Sequence, residues 1–392
     1  MRKLLYLPVV FLFIFSIQSC KKKKIEIIDV NDGVETPETK DPKVIAFENY
    51  LQSEMDLQKI PAISVIIFKQ DKLLSESYMG KSNLEQNIKL ANNHLFLTGS
   101  ISKVLTATAL LQLYEYGHFD LNDNINDFLP FSVSVPNHAT PITFKMLLTH
   151  TSGIADGSAL DDQVFYDYDS PIPLDYFIEN YLEPGGDFYN TSENFNGFEP
   201  GTHYEYSNIG SALMAVLVEQ ISSEDFNSYC KTHIFTPLGM NQSFWRLNES
   251  VQSNLPIVKP YKYVNNQYQA LQQYTSTDYP NGGLRTTGRD LFKFFSALVN
   301  KGVSNQNHLL NENTIELMVT KQIPSINNKM GLHIFILNTP YNLWGHDGKA
   351  EGVSTIVAFN PITRIGAIIL TNQGDANLDE ILVESYNLGL KL

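Results

Sequence analysis

Cysteine is nearly missing from this 392-residue chain; Cys20 and Cys230 are the two present. A disulfide framework is thereby excluded, and a chain this long can build enough core to do without one. Basic residues are scarce too: 28 Lys and Arg stand against 42 Asp and Glu, a formal net charge of −14. That balance argues against nucleic acid as a partner, because neutralising phosphate needs clustered cations. The nine His show no HExxH or similar ligand spacing, so neither a metal nor another cofactor is expected. Asp120-Leu121-Asn122-Asp123-Asn124 opens like a calcium loop, but Ile125 stands at the sixth position and Phe131 at the twelfth. The required Gly and Glu are absent, so the segment reads as a helix-capping turn. Cys230 falls in a helical pattern and reads as a small buried apolar residue.

The strongly apolar run at residues 4–17 is too short to span a bilayer comfortably. Arg2 and Lys3 precede it, which is the layout of a secretory signal peptide. Its closing residues, Ile17-Gln18-Ser19-Cys20, resemble a bacterial lipoprotein cleavage box. In that reading Cys20 becomes the lipidated first residue of the mature chain. An ordinary secretory peptide with an incidental Cys is the alternative. The expected location is the bacterial cell envelope, with the protein held to a membrane by lipid and facing periplasm or exterior. Residues 1–20 then lie outside the fold. Residues 21–42 are charged and rich in turn formers, and read as a flexible tether.

The remaining chain, 43–392, alternates recognisable signals. Helical spacing runs over 44–57, with Val44, Phe47, Leu51 and Met55 on one stripe. Residues 62–69 and 73–79 are β-rich and flank Gln70-Asp71-Lys72, a hairpin reading. Helical patterns recur at 212–221, 226–234 and 289–299. Residues 155–200 are acidic and aromatic, with many turn formers, and read as a long surface excursion able to cover a cleft. Strand patterns return at 332–337, 341–345, 352–360 and 365–371, and a closing helix is expected over 377–390. The fold class is therefore α+β. One antiparallel sheet is built from both ends of the chain (43–91 and 283–392) and flanked by helices, and a mostly helical region, 92–282, is inserted between them.

The chemistry concentrates in three places. In Phe96 to Tyr116, a loop breaks into a buried helix, with Ser100 and Lys103 at its start. Three residues apart is one helical turn, so hydroxyl and amine share a face. A hydroxyl beside an amine, at a helix N-terminus with outward N–H groups, suits nucleophilic attack on a carbonyl. Tyr206-Ser207-Asn208 adds a phenol that can relay protons if a neighbouring cation lowers its pKa. Gly345-His346-Asp347-Gly348 sits at the end of a strand pattern, its glycines allowing close approach of a substrate backbone. Each element alone is weak. Ser228-Tyr229-Cys230-Lys231 repeats the first spacing and Tyr263-Val264-Asn265 the second.

In this order the three elements resemble the serine β-lactamase and D-Ala-D-Ala carboxypeptidase superfamily, especially its class C β-lactamase-like branch. The resemblance covers nearly the whole mature chain. It takes in Leu147-Leu148-Thr149-His150-Thr151-Ser152-Gly153-Ile154, Pro200-Gly201-Thr202, Phe235-x-Pro237-Leu238-Gly239-Met240, Gly282-Gly283-Leu284 and Leu370-Thr371-Asn372. It implies Ser100 as the acylated nucleophile, with Lys103 and Tyr206 sharing general-base and general-acid duties in an order left open. It implies Asn208, His346 and Gly348 at the substrate, and an oxyanion site formed by the Ser100 and Lys349 N–H groups. No metal is implied. The expected substrate is a small molecule or peptide with an amide or ester bond, such as a D-alanyl peptide. A carboxylesterase, a β-lactamase and a non-catalytic surface binding protein are the alternatives. β-Lactamases of this type usually carry Lys where this chain has His346. A largely neutral imidazole attracts a substrate carboxylate less strongly, and relatives with His here resemble D-amino-acid peptidases and esterases more than antibiotic-destroying enzymes. The oligomeric state is open.

Overall fold

The strand Ala62–Lys69 reads AISVIIFK, and its first seven residues are buried. Successive strand side chains point to opposite faces, so one run feeds two cores. Ile63, Val65 and Ile67 join Val44, Phe47, Leu51 and Met55 of the helix Pro42–Gln58 and Ile381, Leu382 and Tyr386 of the helix Asp379–Lys391. Ile66 and Phe68 face the other way, into a larger core with Leu291, Phe294 and Phe295 of the helix Gly288–Val299. A strand covered on both faces needs no polar alternation, which explains its continuous apolar sequence.

The computed structural model describes residues 40–304 and 307–392. The expected signal peptide, Cys20 and nearly all of the 21–42 tether lie outside the described residues. The main sheet runs in the order Phe335–Ile336, Trp344–Ala350, Val353–Phe359, Ile365–Thr371, Ala62–Lys69, Lys72–Asn83, Ile88–Lys89, and every neighbouring pair is antiparallel. The two ends of the chain meet at its centre, where Val65 pairs with Ile369. Among the described residues no helix is long and apolar enough to cross a membrane.

Between the sheet segments lies the helix Ser102–Glu115, in which every residue from Ser102 to Leu113 is buried. A helix without a polar face can only be a core element. The helix Asn208–Ser222 packs against it. Among the described residues Cys230 is buried and has no disulfide partner.

Three expectations change. Residues 155–200 are not merely a surface excursion. They hold the helix Leu174–Leu182, whose Leu174, Phe177, Ile178, Tyr181 and Leu182 repeat at helical spacing and are buried. Strand patterns at 332–337 and 341–345 shrink to Phe335–Ile336 and to a strand that begins at Trp344. Gly345-His346-Asp347-Gly348 consequently lies within the strand Trp344–Ala350, not at its end. The ladder to Val353–Phe359, with His346 opposite Val357 and Lys349 opposite Ser354, carries it past the motif.

Candidate active site

Ser100 sits in a short 3₁₀ turn, Gly99–Ile101, which leads directly into the buried helix at Ser102. Gly99 enters that turn at φ +55°, a left-handed backbone that favours glycine. Several bonds fix the turn. The Thr98 N–H donates to Leu284 O at 2.9 Å, its hydroxyl pairs with the Ser102 hydroxyl at 3.0 Å, and the Thr355 hydroxyl donates to Thr98 O at 2.7 Å. The nucleophile candidate is thus held to a helix at one end and to the sheet at the other.

Gly348 shows why the strand needs glycine beside this turn. A Cβ there would lie 2.3 Å from Thr98 O and 3.1 Å from the Ser100 nitrogen. The requirement expected from a substrate backbone is therefore set by the protein's own backbone. A Cβ on Gly99 would in turn stand 3.2 Å from the Lys349 nitrogen. The peptide units carrying the Ser100 and Lys349 nitrogens are thereby side by side.

Lys103 is buried, one turn along from Ser100. Its Nζ donates to Ser100 Oγ at 3.1 Å, Asn208 Oδ1 at 2.7 Å, Asn281 O at 2.8 Å and Asn281 Oδ1 at 3.2 Å. Burial pulls the ammonium down to about 7, against the opposing pull of Asp278, Asp156 and Asp347. Tyr206 lines the same cleft as Ser100. Lys103 Nζ lies 5.0 Å from the centre of its ring. Burial raises the phenol well above its ordinary pKa, so the lowering by a neighbouring cation expected from sequence does not prevail. His150 stacks on Tyr206, centroids 4.5 Å apart, and on His333 at 4.3 Å, forming a short column of rings behind the phenol.

His346 is buried, its Nδ1 2.5 Å from Asp347 O. Burial and then Lys103 hold it down to about 4, so the imidazole is neutral at physiological pH. Lys349 is exposed at the cleft edge. Asn208 opens its helix behind Ser207, whose Oγ accepts from the Gly210 N–H at 2.8 Å. Asn208, Ser100, Tyr206, His346 and Lys349 all line one cleft of about 600 Å³, with Leu160, Val164 and Tyr274 on its wall.

The structure therefore brings together all the residues singled out in the fold: Ser100, Lys103, Tyr206, Asn208, His346, Gly348 and Lys349. The two repeats of the spacings separate from it. Ser228 and Lys231 are exposed, and Tyr263 lies in the hairpin Tyr261–Val264/Gln267–Ala270 with Asn265 in its turn. Sequence reasoning missed Asn281, which accepts directly from Lys103, and Asp156 and Asp278, which approach Lys103 through Asn208 and Asn281. Asn281 directly precedes the Gly282-Gly283 turn, and Asp156 follows the Thr149–Ile154 segment by two residues; neither has a spacing signal of its own.

Comparison with known proteins identifies the family. The beta-lactamase family profile matches residues 47–386. Protein flp of Staphylococcus aureus strain MRSA252 is 23% identical over 348 residues, 85% of this chain. The chain spans only 64% of that relative's length. Among solved structures, the octameric penicillin-binding protein homologue from Pyrococcus abyssi superposes with a TM-score of 0.70 at 24% identity, covering 89% of this chain and 77% of that one. The D-alanine carboxypeptidase AmpC from Burkholderia cenocepacia gives 0.67 at 20%, covering 89% and 98%. With the profile running from the first helix to the last, the chain belongs to the beta-lactamase family.

Proposed function

We propose that the protein is a serine hydrolase that forms an acyl-enzyme on Ser100 and cleaves amide or ester bonds such as those of D-alanyl peptides. One observation supports this reading above the others: a buried amine with pKa about 7 lies 3.1 Å from the Ser100 hydroxyl. Near neutral pH much of that amine is the free base, and it is within reach of the proton it must take.

In the acylation step Lys103 accepts the Ser100 proton as Oγ bonds to the substrate carbonyl carbon. The Ser100 and Lys349 N–H groups receive the developing oxyanion. Tyr206, kept as a phenol by burial, donates its proton to the leaving amine or alkoxide as the bond to carbon breaks, and recovers one from Lys103. Water then attacks the acyl carbon. Its proton passes to the base, Ser100 Oγ is reprotonated, and the acid product leaves. Asn208 and the strand at Gly348 border the path of the substrate.

A neutral His346 favours substrates that carry no carboxylate at that position, so esterase activity is the second reading. The same serine chemistry serves both. Side-by-side turnover of p-nitrophenyl acetate, nitrocefin and a D-Ala-D-Ala peptide separates the possibilities. Wild type turns over at least one of them and Ser100→Ala none. Equal rates for the two proteins overturn the proposal, and no turnover by wild type leaves the binding-protein reading in its place. We also propose that Cys20 carries a lipid that holds the protein to the envelope, as its cleavage-box sequence suggests.

A further inference from the structure

Lys103 donates two of its hydrogen bonds to asparagine side chains, and each asparagine is itself gripped by an aspartate. Asn208 Nδ2 donates to Asp156 Oδ2 at 2.8 Å. Asn281 Nδ2 donates to Asp278 Oδ2 at 2.5 Å and to Asp278 O at 2.6 Å. An ionised carboxylate only accepts, so it fixes which end of the amide faces it. The Nδ2 groups turn to the aspartates and the Oδ1 atoms are left to face Lys103.

The consequence concerns the direction of a lone pair. A neutral amine has two N–H bonds and one lone pair. Around Lys103 Nζ stand the acceptors Asn208 Oδ1, Asn281 O and Asn281 Oδ1, together with the Ser100 hydroxyl, which can also donate. The three asparagine oxygens can only accept, so they take the two N–H bonds, one going to Asn208 Oδ1 and one shared between Asn281 O and Asn281 Oδ1. The lone pair then faces the Ser100 hydroxyl, the one partner that has a proton to give.

We propose that Asp156 and Asp278 are positioning residues, which lock Asn208 and Asn281 so that neutral Lys103 aims its lone pair at Ser100. This rests on the reading of Ser100 as nucleophile, and it selects Lys103 over Tyr206 as the base for acylation. Asp156 is well suited to the task, since it also accepts from the Ser207 hydroxyl and from the Asn208 and Ile209 N–H groups. It thereby pins the first turn of the Asn208 helix. Asp278 is 5% exposed at the start of the turn Tyr279–Asn281. The other charged or titratable groups around Lys103 are Asp347 and His346 on the strand Trp344–Ala350, Tyr206, and the His150 and His333 rings.

Alanine and asparagine variants divide the effect of the lock from that of the charge. Asp156→Ala removes the acceptor of Asn208, and Asp278→Ala removes the carboxylate acceptor of Asn281 while its backbone acceptor stays. Their kcat for p-nitrophenyl acetate, per fluorophosphonate-titrated site, is expected to fall about tenfold to a hundredfold, with KM changed little. Asp156→Asn and Asp278→Asn keep an acceptor but lose a negative charge that favours the lysine cation. They are expected to hold most of the high-pH plateau and to shift its acid midpoint down by about one pH unit. The Lys103 titration is followed in parallel by NMR of lysine-labelled protein, its signal assigned by loss in Lys103→Met. That signal does not depend on turnover. A downward NMR shift without turnover on any substrate leaves the lock standing and removes the hydrolase reading. Unchanged kcat per titrated site in the alanine variants overturns the lock, and an unmoved NMR midpoint in the asparagine variants overturns the charge effect of the two aspartates on Lys103. Should the Asp278 variants fail to fold, those at the exposed Asp156 decide it.

Discussion

Lys103 makes four hydrogen bonds and none of them is to a carboxylate. A direct ion pair would hold the ammonium charged, whereas burial brings it down to about 7 against the pull of the more distant Asp278, Asp156 and Asp347. The sign of the pH dependence follows. The base form grows as pH rises through about 7, so the acylation rate climbs from pH 5 to 8 with a midpoint near 7. Stopped-flow acylation by p-nitrophenyl acetate measures it. Lys103→Arg places a permanently charged guanidinium in the same site, and acylation is expected to drop about a hundredfold to ten-thousandfold at every pH. Much at this scale was legible beforehand. Ser100 and Lys103 are one turn apart, and spacing alone places them together. Asp156, Asp278 and Asn281 were hidden because they reach Lys103 through tertiary contacts from positions 53 to 178 residues away. No local pattern records such a contact.

The element that closes the site is the strand Trp344–Ala350, pressed edge-on to the Gly99–Ile101 turn. The contact depends on a missing side chain. Gly348→Ala puts a methyl 2.3 Å from both Thr98 O and the Thr355 hydroxyl, so the strand must withdraw from the turn. A stability loss of about 1–3 kcal/mol is expected, read from the urea midpoint. Acylation should fall by more than that loss of folded protein explains, because the Lys349 N–H moves away from Ser100. The glycine was visible in the sequence, but its partner was not. Thr98 and Gly348 are brought together by the sheet, and a glycine in a strand motif reads equally well as room for a ligand. The helix Leu174–Leu182 shows the opposite case. Its apolar spacing was present, but the acidic and turn-forming residues around it drew the whole 155–200 stretch toward a loop reading.

At the scale of the whole molecule, the strands at both ends of the chain were readable because a central strand has to be apolar on both faces. Residues 62–69 and 365–371 have that character, and they pair residue for residue. What the strand runs did not reveal was the order of the sheet, which depends on how the two ends meet. The site inherits its rigidity from this closure. One wall belongs to the sheet, and the nucleophile turn belongs to the buried helix Ser102–Glu115. The expected lipid at Cys20 adds a prediction of its own: Cys20→Ala moves the protein from the membrane fraction to the soluble fraction of a fractionated cell, with Ser100-dependent activity retained. Beneath these readings stands the convergence of an alcohol, an amine and a phenol on one cleft. Peptide mapping by mass spectrometry after fluorophosphonate treatment tests it most directly. The expected result is a single adduct on Ser100, formed faster as pH rises through about 7 and nearly abolished in Lys103→Arg. An adduct on another residue, or equal labelling of Lys103→Arg, would contradict it.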